Sequence, residues 1–177
     1  MKIRNLLFLI IAFFIGENTH ASDWDLTDSL RHSEIVALAL AKVRLDADLF
    51  SGEGNPKSSF KKTLEFQWED SLGASAKINV VYGNIFDDEK RHIYIRQEER
   101  HQYYFDIYQV TENDQMTSEL RARDYSLTYM GDSIGDINGD HYPDFVVQGY
   151  GSAGCCLKAY NRVYLYKSET GKFSEEL

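Results

Sequence analysis

Cysteine, proline and long apolar runs are scarce in this 177-residue chain. It contains 2 cysteines and 2 prolines, while 14% of its residues are aromatic. Few prolines combined with many aromatic residues favour a packed, β-rich domain over disorder. The one long apolar run, residues 6–15, is about half of the roughly 20 residues that a transmembrane helix needs. A membrane-spanning protein is therefore not expected.

The first residues instead have the layout of a secretory signal peptide. Lys2 and Arg4 precede the apolar run, and small residues lead up to Ala21. This order predicts that residues 1–21 are a signal cleaved after Ala21. No cysteine stands at the predicted cleavage site after the run, so we expect no lipid anchor. The sequence thus predicts a periplasmic or secreted protein in which residues 22–177 form a single β-rich domain.

Positive charge is also in short supply. The chain has 19 Lys and Arg residues against 28 Asp and Glu residues, a formal net charge of −9 at pH 7. Nucleic acid and anionic membranes are poor partners for such a surface. Ordinary solubility explains a charge of this size. A basic protein partner or a bound cation is the alternative explanation.

Short stretches of regularly spaced apolar residues predict the secondary structure. Helical spacing predicts a helix over residues 26–41, and alternation of apolar with charged residues predicts a strand over residues 43–49. Aromatic and β-branched residues cluster between polar or glycine-containing breaks in six further segments, which are predicted strands. These segments are residues 62–68, 76–82, 92–97, 102–110, 144–148 and 162–167.

Consecutive short strands joined by short turns predict a mainly β fold. We expect an antiparallel meander that forms a curved sheet, a sandwich or a minimal propeller-like domain, with one N-terminal helix. In the segment of residues 102–110, one aromatic face is predicted to pack in the core. The opposite face, which carries Tyr104 and Tyr108, is predicted to meet solvent.

Residues 136–144 carry oxygen donors at alternate positions. Side-chain oxygens occupy positions one, three, five and nine of this segment: Asp136, Asn138, Asp140 and Asp144. Ca²⁺ takes six to eight oxygen ligands, and the backbone carbonyl of Tyr142 would be a fifth donor. A metal-free hairpin turn on Asn138 and the glycine after it is the alternative. Three carboxylates crowded without a cation would repel one another, which favours calcium.

The segment is not an EF-hand, which requires Gly at position six and Glu at position twelve. His141 and Val147 stand there. Residues 135–147 instead resemble the calcium loop of FG-GAP or integrin-α-like repeats, a VCBS-like pattern found singly in small bacterial exported proteins. The resemblance implies that the four side chains and the Tyr142 carbonyl bind Ca²⁺. It also implies Gly in place of His141.

The two cysteines, Cys155 and Cys156, are adjacent. Their Cα atoms lie about 3.8 Å apart, below the usual disulfide range of about 4.4 to 6.8 Å, so a disulfide between them closes a strained ring. An exported chain nevertheless enters an oxidising compartment. A disulfide between the two, two buried thiols and a soft-metal site all remain open, and the disulfide is favoured.

Motifs for catalysis are missing. Ser152 follows no nucleophile-elbow glycine, the glycines around it open no helix of a nucleotide-binding unit, and the histidines have no metal-binding spacing. The sequence therefore predicts that the chain is not an enzyme.

Small bacterial exported proteins with FG-GAP-like loops include inhibitors and immunity proteins directed against peptidoglycan hydrolases. The resemblance therefore implies a protein-binding module of this kind, and the acidic charge suits a basic hydrolase as partner. The alternative is a calcium-stabilised envelope or glycan-binding domain without an inhibitory role. Such a domain would bind through exposed tyrosines, for which Tyr104 and Tyr108 are the candidates.

Overall fold

The computed structural model describes residues 26–45, 60–111, 115–151 and 158–176. The chain divides into two compact units, residues 1–46 and residues 47–177. The predicted signal peptide lies outside the described residues, and the prediction of a single domain after it stays a prediction.

The first unit contributes one described helix, α1, from Leu26 to Arg44. Asp28 in its first turn and Lys42 in its last turn complement the helix dipole. Its buried apolar residues recur every three or four positions: Ile35, Val36, Ala39, Leu40 and Val43. Among the described residues, no helix has the length and apolarity needed to cross a membrane.

The helix prediction is confirmed, and the strand predicted from residue 43 is wrong at its start. Val43 and Arg44 belong to α1. Val43 continues the helical spacing of buried residues, and that spacing outweighs the alternation that begins at the same place. Residues 46–49 lie outside the described residues.

The described residues of the second unit form nine strands. They are β1 (Lys61–Glu69), β2 (Ser75–Gly83), β3 (Arg91–Glu98), β4 (Gln102–Val110), β5 (Met116–Tyr125), β6 (Tyr129–Gly135), β7 (Asp144–Gly151), β8 (Lys158–Lys167) and β9 (Lys172–Glu176). The predicted mainly β class is confirmed. The sequence patterns did not predict β5, β6 or β9.

Two antiparallel meanders make up the unit. One sheet has the order β1-β2-β3-β4-β5, and the other has the order β6-β7-β8-β9. Because every strand pairs with its chain neighbour, the connections alternate between two ends. We call one end the turn end; it holds the connections at residues 70–74, 99–101 and 126–128. We call the opposite end the loop end; it holds residues 84–90, 136–143 and 168–171.

One hydrophobic core is shared by the two sheets. The ring of Phe145 on β7 lies 5.3 Å from that of Tyr94 on β3 and 5.6 Å from that of Phe105 on β4. The buried members of this core come from both sheets and from the β2–β3 connection: Ile85, Phe86, Tyr94, Phe105, Ile107, Ala122, Phe145, Val147, Tyr164 and Tyr166. The sheets therefore form two layers around one core. This arrangement is a sandwich, one of the three architectures that the sequence predicted.

Both faces of β3 and β4 are buried. Tyr104 is 1% exposed and Tyr108 is 4% exposed, so the prediction that their face meets solvent is wrong. Alternation along a strand identifies two faces but does not reveal that both are covered.

Ion pairs cross between the sheets near the turn end. Arg162 on β8 donates to Asp124 on β5 at 3.0 Å, and the hydroxyl of Tyr160 donates to the same carboxylate at 3.0 Å. Arg96 on β3 donates to Asp132 on β6 at 3.1 Å. Both carboxylates are nearly inaccessible to solvent, so the arginines offset the cost of burying them.

Candidate calcium site

The acidic loop joins the edge strand β6 to β7, and the pair formed by Gly135 and Asp144 closes it. The loop therefore stands at the loop end of a rigid hairpin. Its first donor, Asp136, accepts hydrogen bonds from two backbone amides, that of Gly139 at 2.7 Å and that of His141 at 3.0 Å. The Asp136 carboxylate therefore holds the backbone of the loop in a tight turn.

The next two donors repeat the arrangement. The backbone amide of Asp140 donates to Oδ1 of Asn138 at 2.9 Å, and the amide of Tyr142 donates to Oδ1 of Asp140 at 2.9 Å. The Asn138 side-chain amide also donates to Asp140 Oδ2 at 2.9 Å. Three successive side chains of the alternating pattern are thus held inside one tight loop.

The fourth predicted ligand, Asp144, anchors the loop to the sheet. It is fully buried, and its Oδ2 accepts from the amide of Ile137 at 3.0 Å. Its Oδ1 accepts from the amide of Tyr166 on β8 at 2.9 Å. One carboxylate therefore connects the loop, β7 and β8. The ring of Tyr142, whose carbonyl is the fifth predicted donor, lies 6.1 Å from that of Tyr166.

Two loop residues have left-handed backbone conformations. Gly139 has φ of 80° and His141 has φ of 74°. Glycine adopts this conformation without steric cost, whereas a residue with a Cβ atom does not. His141 is the position at which the FG-GAP resemblance implies glycine. The backbone there has the conformation that glycine favours, although a histidine occupies the position.

The donor set suits a hard cation. Its members are carboxylate, amide and carbonyl oxygens, the ligands that Ca²⁺ takes in proteins. A carboxylate oxygen that accepts one N–H bond keeps a second lone pair for a cation. Hydrogen bonds from the Tyr142 backbone amide and the Asn138 side chain lower the pKa of Asp140, which keeps this ligand ionised. These residues therefore fit calcium by their chemistry.

The carboxylates of the loop do not form a metal centre by themselves. In the part of the chain that the structure describes, no group of three or more His, Cys, Asp or Glu side chains is arranged to hold a metal ion. Asp136, Asp140 and Asp144 are thus not brought together as such a group, and the predicted calcium site stays a prediction. Cys155 and Cys156 lie outside the described residues, so the predicted disulfide stays a prediction.

A second cluster of polar residues was not predicted. Asp132 accepts hydrogen bonds from Tyr94, at 2.8 Å, and from Arg96 and Tyr129, and the Tyr129 ring stacks on that of Tyr103 at 4.0 Å. Burial raises the pKa of both Tyr94 and Tyr129, and the charge and hydrogen bond of Asp132 add to the rise. Both phenols therefore stay protonated and donate to Asp132.

The same carboxylate acts on Arg96. Burial by itself would lower the pKa of Arg96, but the hydrogen bond and charge of Asp132 outweigh it and raise the pKa. The cluster is thus a neutralised, hydrogen-bonded junction between β3 and β6. No local sequence pattern could have revealed it, because Arg96 and Asp132 are 36 positions apart.

Comparison of the chain with protein-family models, with curated proteins and with solved structures found no match. The resemblance to FG-GAP loops therefore rests on residues 135–147 alone.

Proposed function

We propose that this is an exported calcium-binding protein whose loop holds a structural Ca²⁺ through Asp136, Asn138, Asp140, Asp144 and the Tyr142 carbonyl. We further propose that it is a protein-binding module, such as an inhibitor or immunity protein against a cell-wall hydrolase. It has no catalytic role in this proposal.

The observation that supports the calcium site best is the position of Asp144. Its two oxygens accept amides from the loop and from β8, so a cation bound beside it would connect the exposed loop to the buried sheet. The exposed ligands Asp136 and Asp140 are held by uncharged amides, which leaves their negative charge in place. A bound Ca²⁺ would neutralise that charge and stabilise the folded state.

The calcium site is tested by titrating Ca²⁺ into chelator-treated protein in a calorimeter, with Mg²⁺ as the control ion. We expect one Ca²⁺ per chain with a Kd at or below about 1 mM, the upper range of extracellular calcium modules. Mg²⁺ should bind more weakly because it demands a smaller, nearly octahedral site. Absence of calcium binding over this range would leave the loop as a metal-free hairpin.

Export is tested separately by N-terminal sequencing of the protein recovered from an expressing bacterium. The mature chain should begin at Ser22. A chain that keeps residues 1–21 and stays in the cytoplasm would contradict the proposed location.

Net charge supports a basic protein partner. The chain carries −9, and complementary charge accelerates the encounter of two proteins. Many cell-wall hydrolases act on an anionic polymer, and a basic surface suits that substrate. The glycan-binding alternative loses its predicted binding surface, because Tyr104 and Tyr108 are buried.

The partner class is tested with three basic enzymes: a lysozyme, an N-acetylglucosaminidase and a cell-wall amidase. Each is titrated with the calcium-loaded protein, and the remaining activity on purified peptidoglycan is measured. We expect binding and inhibition of at least one enzyme, weakened as salt rises. Binding to none of the three would overturn the proposal of a hydrolase-directed module.

A further inference from the structure

The edges of the two sheets differ in how they are protected against pairing with another strand. The edge strands are β1 and β5 in one sheet and β6 and β9 in the other. The pairing of β5 with β4 and the pairing of β6 with β7 each contain a register shift, and β9 has only 5 residues. Bulges and short length are common means by which proteins block sheet edges. Among the described strands, β1 is therefore the edge that has neither protection.

β1 is a long and regular edge strand. All 9 of its residues, from Lys61 to Glu69, pair with β2 in one unbroken register. Its sequence contains neither proline nor glycine. In the part of the chain that the structure describes, β2 is the only strand that pairs with it. An edge of this kind can accept a further strand.

The outward backbone groups of β1 belong to its odd-numbered residues. Just before the strand, the Phe60 carbonyl accepts the amide of Asn84 at 2.9 Å. Just after it, the amide of Asp70 donates to the Ala74 carbonyl at 2.9 Å. Backbone bonds between two antiparallel strands come from every second residue. The even-numbered residues of β1 therefore bond to β2, and the odd-numbered ones direct their amides and carbonyls away from it.

The side chains of the odd-numbered residues are exposed and carry a self-complementary order of charge. Lys61 stands at one end and Glu69 at the other, with Thr63, Glu65 and Gln67 between them. A second β1 laid antiparallel, with the two Glu65 residues at the centre, puts each Lys61 opposite the Glu69 of the other copy. It also puts each Thr63 opposite a Gln67. Opposite charges that face each other across a strand pair stabilise it.

We propose that β1 docks a second copy of this chain, and that the two β1 strands pair antiparallel with Glu65 at the centre. In this register the odd-numbered residues of the two copies face each other, so outward amides meet outward carbonyls. A two-fold axis through the centre closes the contact, because each strand supplies the same groups to the other. The proposed dimer goes beyond the proposed function and requires neither calcium nor a hydrolase.

Glu65 is the one unfavourable position in this register. It faces its own copy at the two-fold axis, and like charges directly opposite weaken a strand pair. Its carboxylate accepts the side-chain amide of Asn79 on β2 at 2.7 Å, which draws the charge away from the axis. The like-charge pair therefore weakens the dimer without preventing it.

Sedimentation equilibrium over a range of protein concentrations measures the dimer. The buffer contains calcium and about 0.15 M salt, which screens the repulsion between two acidic chains beyond about 8 Å. Because one strand pair is a small interface, we expect a Kd of about 1–100 µM. A protein that stays monomeric up to about 1 mM would overturn the proposal.

Charge reversal tests the register. Lys61→Glu and Glu69→Lys should each weaken dimerisation about 5-fold, because the two-fold axis turns two attractive pairs into two repulsive ones. The double variant exchanges the charges and should return the Kd to within about 2-fold of the unaltered protein. Within one chain the two residues lie opposite Gly83 and Ser75, so no directly opposed charge pair changes there. Single variants that dimerise equally well, or a double variant that does not recover, would overturn the proposal.

A proline tests the backbone pairing. Thr63→Pro removes an amide that points away from β2, so the folded chain keeps its backbone bonds. The dimer loses one bond from each copy and should weaken at least about 10-fold. Thr63→Ala keeps the amide and is the matched control, with a Kd within about 2-fold of the unaltered protein. Thermal unfolding shows whether each variant is folded, and if Thr63→Pro is not, the charge reversals decide.

Glu65→Gln tests the centre of the interface in the opposite direction. It removes the like-charge pair, and its amide oxygen can still accept from Asn79. Dimerisation should become about 3-fold tighter. A weaker dimer would mean that Glu65 does not face its own copy, which would overturn the proposed register.

Other occupants of the β1 edge give their own results. If the protein is monomeric and Thr63→Pro weakens its binding to one of the three basic enzymes, the edge serves a hydrolase. The dimer proposal is then overturned while the proposed function stands. If a dimer forms that Thr63→Pro leaves unchanged, another surface holds it and pairing through β1 is wrong. If the variants behave as expected and no enzyme binds, the dimer stands and the proposed function is wrong.

Discussion

The ion pairs between the sheets and the acidic loop of residues 136–144 handle negative charge in different ways. Near the turn end, Asp124 and Asp132 are paired with Arg162 and Arg96 between the sheets. At the loop end, Asp136 and Asp140 are held by amide groups. An arginine cancels the charge of a carboxylate, whereas an amide stabilises the charge without removing it. The carboxylates between the sheets are thus neutralised by arginines, whereas those of the acidic loop keep a charge that suits a cation.

The largest effect on stability should come from removing the arginine of an inter-sheet ion pair near the turn end. Arg162→Met leaves the nearly inaccessible carboxylate of Asp124 without its charged partner, and such a loss costs about 3–5 kcal/mol. Urea unfolding should show this decrease in the free energy of unfolding. Adding Asp124→Asn to the variant should recover part of the loss, because the uncompensated charge is then gone. No recovery would mean that Arg162 acts mainly through packing and its bond to the Arg123 carbonyl.

The next effect concerns His92, which is fully buried near the loop end, edge-on to the rings of Phe86 and Tyr166. Burial lowers its pKa to about 4 from an ordinary 6.5, although the charge of Asp87 opposes the shift. The unfolded chain therefore binds this proton first as pH falls. The stability contribution is complete above about pH 6.5 and is lost as pH falls toward 4.

The size of this loss follows from the pKa of His92 in the unfolded chain, 6.5, and in the folded protein, about 4. At about 1.4 kcal/mol per pKa unit, the free energy of unfolding decreases by about 3 kcal/mol. Urea unfolding across this range should show it, and His92→Phe should remove it. Asp87, whose pKa is lowered, loses its contribution only below about pH 3.8, so its effect is separable. An unchanged pH profile in His92→Phe would contradict this assignment.

Calcium should have the next largest effect, and only at the loop end. At a calcium concentration 100 times the Kd, binding adds about 2.7 kcal/mol to the free energy of unfolding. Asp140→Ala should lose most of this gain and leave the stability of the calcium-free protein nearly unchanged. Asp88→Ala, which removes another exposed loop-end carboxylate, is the control and should keep the gain. Equal losses for Asp140→Ala with and without calcium would refute a structural calcium site.

The smallest effect tests the left-handed backbone of the loop. His141→Gly should stabilise the protein by about 0.5–1 kcal/mol, because glycine adopts φ of 74° without strain. Gly139→Ala should destabilise it by a similar amount for the opposite reason. Thermal unfolding of both variants, with calcium and without, measures these shifts. If His141→Gly is destabilising, the histidine side chain contributes a contact that exceeds the backbone strain.

The sequence predicted the strands in which aromatic and β-branched residues cluster, and it missed β5, β6 and β9, which lack such a cluster. Alternation identified the strands from β1 to β4 and the strands β7 and β8. β5 was missed because its sequence, MTSELRARDY, is rich in charge. Its Arg121 donates to the buried Asp106 on β4 at 2.9 Å, a pairing that cannot be seen without knowing which strand lies beside it.

The proposed calcium loop follows from local sequence spacing, and its binding of calcium stays a prediction. All five proposed ligands lie in one hairpin connection or at its end, because their alternation is local in the chain. The neutralised junction at Asp132 joins residues that are distant in sequence. Local spacing carries no information about such groups, whereas strand register and burial place them together.

The order of the strands has a consequence for how the chain folds. Within each sheet, every strand pairs with a strand that is its immediate neighbour in the chain, so strand pairing needs no long connection. Each meander can assemble by adding one hairpin after another, without first closing a long loop. Residues 126–128 then connect two sheets that can each form first and pack together afterwards.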